Sequence, residues 1–75
     1  MYKYKMDVMQ RLKDMGYSTY KIRQQNILPQ GTLTKINNGG NITLETLNVL
    51  CIMLKCQISD IIEIEPTNEE KIKYF

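Results

Sequence analysis

Backbone breaks in the first half of the chain limit its helices to short lengths. Gly16 can adopt the left-handed conformation that ends a helix. Pro29 biases the preceding residue, Leu28, to an extended conformation and itself has no backbone N–H to donate. The run Asn37-Asn38-Gly39-Gly40-Asn41 is the strongest loop signal in the sequence. We therefore predict several short helices, with no long helix and no extensive sheet.

The segments between these breaks have helical periodicity. A first amphipathic helix is predicted over residues 6–15, because apolar side chains recur there at every third position: Met6, Met9, Leu12 and Met15. Ser18-Thr19 offers a hydroxyl N-cap for a second helix through Ile22 to about Gln25. A third helix is predicted from about Pro29 to Asn37, with Leu33 and Ile36 buried.

The second half of the chain predicts two more helices. Thr43 is expected to cap a fourth helix with Glu45 in its first turn, and Ser59 a fifth helix of one or two turns. The apolar residues expected to form the main core stripe of the fourth helix are Leu44, Leu47, Leu50, Cys51 and Leu54. Residues 66–75 are expected to form a polar tail. Residues 2–5 and 62–65 alternate with period two and can pair as a small sheet, so the predicted fold is all-α with five helices.

Composition excludes several functional classes. The 75 residues form one domain and include no His, so imidazole bases and Cys-His or Ser-His pairs are absent and we expect no enzyme. The longest apolar run, residues 49–54, is far shorter than the ~20 residues of a membrane span. Cys51 and Cys56 are expected to be small buried apolar residues, because a structural zinc site needs four ligands. A cytoplasmic protein without a metal or cofactor is expected.

The charges are unevenly distributed. Residues 1–55 carry eight Lys or Arg and three carboxylates, a net charge of +5, whereas residues 56–75 have a net charge of −3. No carboxylate lies between Asp14 and Glu45. Such a basic body can bind a polyanion, although solvated charged faces alone explain the same composition.

The two helices predicted over residues 18–25 and 29–37, joined by a three-residue turn and braced by a helix on each side, make a helix-turn-helix. The second helix of such a motif fits the major groove, which is about 12 Å wide. The residues expected to face inward are Ile22, Leu28, Leu33 and Ile36, and those expected to face outward are Gln30, Gly31, Thr34 and Lys35.

Over about residues 5–65 the chain resembles the lambda-repressor-like helix-turn-helix family, the Cro and xenobiotic-response-element type of regulator, in its short bacterial or phage form. The stretches that carry the resemblance are Ser-Thr-Tyr-Lys-Ile (18–22), Leu-Pro-Gln-Gly-Thr-Leu-Thr-Lys-Ile (28–36), Asn-Gly-Gly-Asn-Ile-Thr-Leu-Glu-Thr-Leu (38–47) and Leu-Lys-Cys-Gln-Ile-Ser-Asp-Ile-Ile-Glu (54–63). The resemblance implies a small transcriptional regulator, most simply a repressor, that binds operator DNA as a homodimer.

The resemblance also assigns roles to residues. Those that match base-contacting positions are Gln30, Gly31, Thr34 and Lys35, and those that match phosphate-contacting positions are Thr19, Thr32 and Asn38. Apart from the resemblance, the hydroxyl of Tyr20 is also expected to reach a phosphate. The amide of Gln30 can pair with adenine through two hydrogen bonds. Two residues depart from the family pattern: Arg23 stands where a small residue is usual, and Ile27 where a glycine is usual. Because a β-branched residue is strained at positive φ, we predict that Asn26 takes the left-handed conformation.

A plain scaffold without DNA function is one alternative, since the same helix pair occurs in such proteins. Another is an antitoxin-like or adaptor module whose tail, residues 63–75, docks on a protein partner through Tyr74 and Phe75. In the DNA-binding hypothesis the last helix and the tail form the dimer surface. Met53 lies off the main stripe and is a candidate interface residue, and Tyr17 and Tyr20 are expected to be half-buried.

Overall fold

A computed structural model describes residues 1–74, which form six helices and a two-stranded antiparallel sheet. In chain order the elements are β1 (Tyr2–Tyr4), α1 (Val8–Asp14), α2 (Thr19–Gln24), α3 (Gln30–Asn37), α4 (Leu44–Leu54), α5 (Ile58–Ile61), β2 (Ile62–Ile64) and α6 (Asn68–Tyr74). The prediction of five helices was therefore one helix short.

Side-chain caps set the helix starts. Ser18 Oγ accepts a hydrogen bond from the Lys21 amide at 3.1 Å and caps α2, as predicted. Thr43 caps α4 in the same way through the amide of Thr46, at 3.1 Å. The prediction that Ser59 caps α5 was wrong, because α5 already begins at Ile58 and its N-cap is Gln57.

The backbone adopts the left-handed conformation at Gly16 and Asn26, as predicted, and also at Lys55. Gly16 has a φ of 93° just after α1. Asn26 has a φ of 53°, whereas Ile27 is not among the residues with positive φ, so that prediction is confirmed. The side chain of Asn tolerates this region far better than a β-branched side chain does. Lys55, at a φ of 55°, ends α4 and was not predicted to do so.

A single apolar cluster lies at the centre of the helices. Its buried members are Val8, Leu12, Ile22, Leu28, Leu33, Ile36, Leu47, Leu50, Met53, Leu54 and Ile61. The four inward residues predicted for the helix pair over residues 18–37 are all among them. Cys51 and Cys56 are half-buried free thiols that pack against the cluster. Burial raises the pKa of the Cys56 thiol.

Three burial predictions for the ends of α1 and for α4 were wrong. Leu44 is 79% exposed, because it is the first residue of α4 and lies beyond the edge of the core. Met53 is buried and belongs to the core, so it is not an interface residue. Met15 is exposed, because α1 begins at Val8 and buries Val8 and Leu12, one turn apart.

The strands β1 and β2 pair as predicted for residues 2–5 and 62–65. In the sheet Tyr2 pairs with Ile64, Lys3 with Glu63 and Tyr4 with Ile62. The Lys3 ammonium lies 2.8 Å from a Glu65 carboxylate oxygen and 3.3 Å from one of Glu63. Hydrogen bonds to these two carboxylates raise the pKa of Lys3.

Residues 66–75 were predicted to be a polar tail, and residues 68–74 of this segment instead form α6. None of the residues of α6 is buried. The helix is held near the sheet by the Met1 α-amino group, which forms an ion pair with the Glu70 carboxylate and donates to the Glu65 carbonyl at 2.7 Å. The hydrogen bond from that amino group lowers the pKa of Glu70. Phe75, half of the predicted aromatic anchor, lies outside the described residues.

Candidate nucleic-acid interface

The helices α2 and α3 are separated by residues 25–29, a longer connection than the three-residue turn predicted, because α2 ends at Gln24 and α3 starts at Gln30. The Ile27 amide donates to the Ile22 carbonyl at 3.0 Å and closes the end of α2. Leu28 is buried and fixes the connection to the core. The relative orientation of the two helices is therefore set by packing and not by a flexible loop.

One face of α3 is exposed along its whole length. Its residues are the four predicted to contact bases, namely Gln30, Gly31, Thr34 and Lys35, and all four are exposed. They recur at intervals of about one helical turn, so they lie together opposite the buried Leu33 and Ile36. The Thr34 hydroxyl donates to the Gln30 carbonyl at 3.1 Å, which leaves its methyl group and oxygen toward solvent.

A hydrogen bond across the turn joins α2 to this face. Arg23 Nε donates to Gln30 Oε1 at 2.6 Å, and both side chains are exposed. The sequence places a long basic side chain at Arg23 where the family pattern has a small one, but it does not specify this contact. Arg23, which our sequence analysis noted as a departure from the family pattern, thus lies beside a residue predicted to contact bases.

The residues predicted to contact phosphates differ in their exposure. Thr19 and Thr32 are half-buried and Asn38 is exposed. Tyr20 is 71% exposed, so the expectation that it is half-buried was wrong: it lies at the start of α2, away from the core. Tyr17 is half-buried as expected, and the Lys21 ammonium lies 5.3 Å from the centre of its ring.

Thr19 lies in a groove between α1, α2 and α3. The groove has a volume of about 300 Å³ and is lined by Met9, Lys13, Thr19, Gln30, Leu33, Thr34 and Asn37. It brings the predicted phosphate residue Thr19 beside the predicted base residues Gln30 and Thr34. The lining also includes Lys13, one of the two basic residues of α1, to which our sequence analysis assigned no role.

A second depression, of about 480 Å³, lies between α3 and the start of α4. Its lining residues are Thr32, Lys35, Asn41, Ile42, Thr43 and Thr46. Hydroxyls, an amide and an ammonium group are donors that suit phosphate oxygens. Our sequence analysis named Thr32 and Lys35 but not Asn41 or Thr46. Asn41 is the last residue of the Asn-Gly loop and Thr46 lies in the first turn of α4, so polar side chains in and near this loop were the signal that could have identified them.

The electrostatic character of this side of the molecule is basic. Within residues 1–74 the ion pairs involve only Met1, Lys3, Glu63, Glu65 and Glu70, all at the sheet and α6. The basic residues of α1 to α3 in this described part thus have no carboxylate partner. Their charge is available to a polyanion.

The described residues contain no group of three or more side chains suited to a metal ion. Among the same residues no helix is long and apolar enough to span a membrane.

The sequence of residues 7–67 matches the family of Cro/C1-type HTH DNA-binding domains. This match covers most of the chain, and the protein belongs to that family. No match was found among curated proteins or among solved structures. Membership supports DNA binding by a small regulator, in a family whose members are generally not enzymes.

Proposed function

We propose that this protein binds specific double-stranded DNA sites as a transcriptional repressor and inserts α3 into the major groove. The observation that carries the proposal is the exposed face of α3, which is polar, free of carboxylates and attached rigidly to the core. A helix of this kind fits a groove about 12 Å wide. Repression is the simplest regulatory role, because a bound protein excludes others from the same DNA.

The exposed residues of α3 divide into two roles. Gln30, Gly31 and Thr34 reach base edges, since the N-terminal part of a recognition helix approaches the bases most closely. Lys35, which we also propose at a base edge, contributes charge and, with the depression lined by Thr32 and Thr43, holds a phosphate next to the groove. Thr19, Tyr20 and Asn38 contact phosphates on either side, which fixes the position of α3 in the groove.

We further propose a homodimer. One helix pair contacts few base pairs, so two copies on half-sites one helical turn apart, ~34 Å, supply the affinity and specificity that one copy lacks. The proposed dimer surface is α5 together with the segment that follows the sheet, which includes α6. Ile72 of α6 is 85% exposed, and an isolated seven-residue helix is marginal in water, so contact with a second copy would stabilise it. The radius of gyration is 13.9 Å, whereas a compact domain of this length has about 11 Å, which fits an extended α6.

The exposure of Ile72 and Tyr74 also favours a second candidate function, the docking of α6 on a partner protein. Deletion of residues 66–75 separates the two. Loss of the dimer together with DNA affinity supports the regulator. Unchanged DNA binding with loss of a co-purifying protein supports the interaction module.

Salt-dependent binding to a random-sequence duplex tests the proposed function. Log affinity is expected to fall linearly with log salt concentration, because each contacted phosphate releases counterions. Lys35→Ala should reduce the magnitude of the slope by about one, which corresponds to the loss of one phosphate contact. Lys3→Ala, at the sheet, removes an equal charge that is already paired with Glu63 and Glu65 and should leave the slope unchanged. No binding at low salt would contradict the proposal.

A further inference from the structure

The contact between Arg23 and Gln30 fixes which way the glutamine amide faces. A guanidinium group has only donors, so the amide atom that faces it must be the acceptor, Oε1. The bond is short, 2.6 Å, and it is assisted by the charge of Arg23. No ion pair competes for Arg23 within residues 1–74. The orientation of Gln30 is therefore set before any ligand arrives.

This orientation conflicts with adenine recognition by Gln30. Adenine presents the N7 acceptor and the N6 amino donor, so a glutamine pairs with it by donating from Nε2 and accepting at Oε1. Here one of the two lone pairs of Oε1 already accepts from Arg23, so only the other is free for the N6 amino group. The N6 amino group would also lie next to a cation that offers only donors, which is electrostatically unfavourable.

The same arrangement suits guanine. Apart from the second lone pair of Gln30 Oε1, the groups left free are the two amide N–H groups of Gln30 and the remaining N–H groups of Arg23, which are donors. Guanine presents two acceptors in the major groove, N7 and O6. Arg23 stands at the end of α2 next to the first residue of α3, the end of the helix that approaches base edges most closely.

We propose that Arg23 is a specificity-determining residue: with Gln30 it forms a positively charged, donor-rich pair that selects guanine where Gln30 alone would select adenine. The proposal rests on the proposed function, since it concerns the bases that α3 contacts. It assigns a role to Arg23, one of the two residues at which this chain departs from the family pattern.

The test is selection of bound sequences from a random duplex pool by the wild-type protein and two variants. The wild type is expected to enrich guanine at one position of each half-site. Arg23→Ala removes the cation and the donors beside Oε1 and should shift that position to adenine, with a change in relative preference of about 5- to 150-fold, the range for one good two-bond contact. Arg23→Lys keeps the charge without the planar fork, so the guanine preference should weaken while the salt slope stays the same.

The outcomes separate this proposal from the proposed function. If the wild type binds and enriches a site but Arg23→Ala enriches the same base, the role of Arg23 is wrong and DNA binding stands. If the wild type instead enriches adenine at the position where Gln30→Ala relaxes the choice of base, the role of Arg23 is likewise wrong and DNA binding stands. No DNA binding by the wild type overturns both. Circular dichroism confirms that the exposed substitutions leave the helices intact.

Discussion

The Tyr4 hydroxyl donates a hydrogen bond to the Gly40 carbonyl at 2.9 Å and so ties β1 to the loop that follows α3. The Gly40 amide in turn donates to the Lys35 carbonyl at 2.7 Å, at the end of α3. A Cβ atom on Gly40 would lie 3.1 Å from that same carbonyl oxygen, so a larger residue would push the Lys35 backbone away by a few tenths of an ångström. The sheet formed by the two ends of the domain thus supports the C-terminal end of the proposed recognition helix.

Tyr4→Phe is expected to lower the free energy of unfolding by about 0.5–1.5 kcal/mol, the net value of one hydrogen bond. The bond is partly buried, and burial raises the pKa of Tyr4. Urea unfolding measures the change. Tyr20→Phe is the matched control, because Tyr20 is 71% exposed and its substitution should stay within about 0.5 kcal/mol. Equal effects of the two substitutions would show that the Tyr4 contact does not stabilise the domain.

Leu50→Ala is expected to destabilise the domain by about 2–5 kcal/mol, since Leu50 has no exposed surface and the substitution leaves a cavity. A 75-residue domain has a total stability of only about 4–11 kcal/mol, so the variant should be partly unfolded at 37 °C. Ile52→Ala on the same helix is the control, because Ile52 is 68% exposed. Thermal unfolding that changes equally in the two variants would contradict the placement of α4.

Acid is expected to release α6 from the N-terminus. The pKa of Glu70 is lowered in the folded state, so its contribution is present above the ordinary carboxyl pKa and is lost as the pH falls through the lowered value. NMR shifts of the α6 amides should therefore change below about pH 4.5. Glu70→Gln should abolish this transition, whereas Glu69→Gln in the same helix should retain it. A transition unchanged by Glu70→Gln would contradict the ion pair with Met1.

Gln30→Ala should cost about 1–3 kcal/mol of DNA binding at one base position and relax the choice of base there. Lys35→Ala should weaken binding to all sequences by similar amounts. Competition assays with duplexes that differ at single positions measure both effects. A uniform loss across sequences for Gln30→Ala would rule out its contact with a base.

The helix pair could be predicted from the sequence because its signals are local. Pro29, the N-cap Ser18 and the tolerance of Asn26 for positive φ each act within a few residues. Helical periodicity likewise identified Ile22 and Leu33 as core residues. Periodicity does not show where the core ends, so it failed for Leu44, which continues the pattern one turn beyond the buried part of α4.

The features that were missed depend on distant or rotameric contacts. The helix α6 has no apolar stripe, and it is anchored by the contact between Glu70 and the α-amino group of Met1, which are 69 positions apart in the sequence. The bond between Arg23 and Gln30 depends on how two long side chains meet across a turn. Spacing along the chain specifies neither relationship.

The central claim is that α3 contacts bases in double-stranded DNA. Its most direct test is repeated selection from a random duplex pool with the purified wild-type protein at moderate salt. We predict enrichment of a two-fold symmetric site whose half-sites are centred one helical turn, ~34 Å, apart. An unenriched pool, or no retained DNA at low salt, would contradict the claim and leave the helix pair as a scaffold.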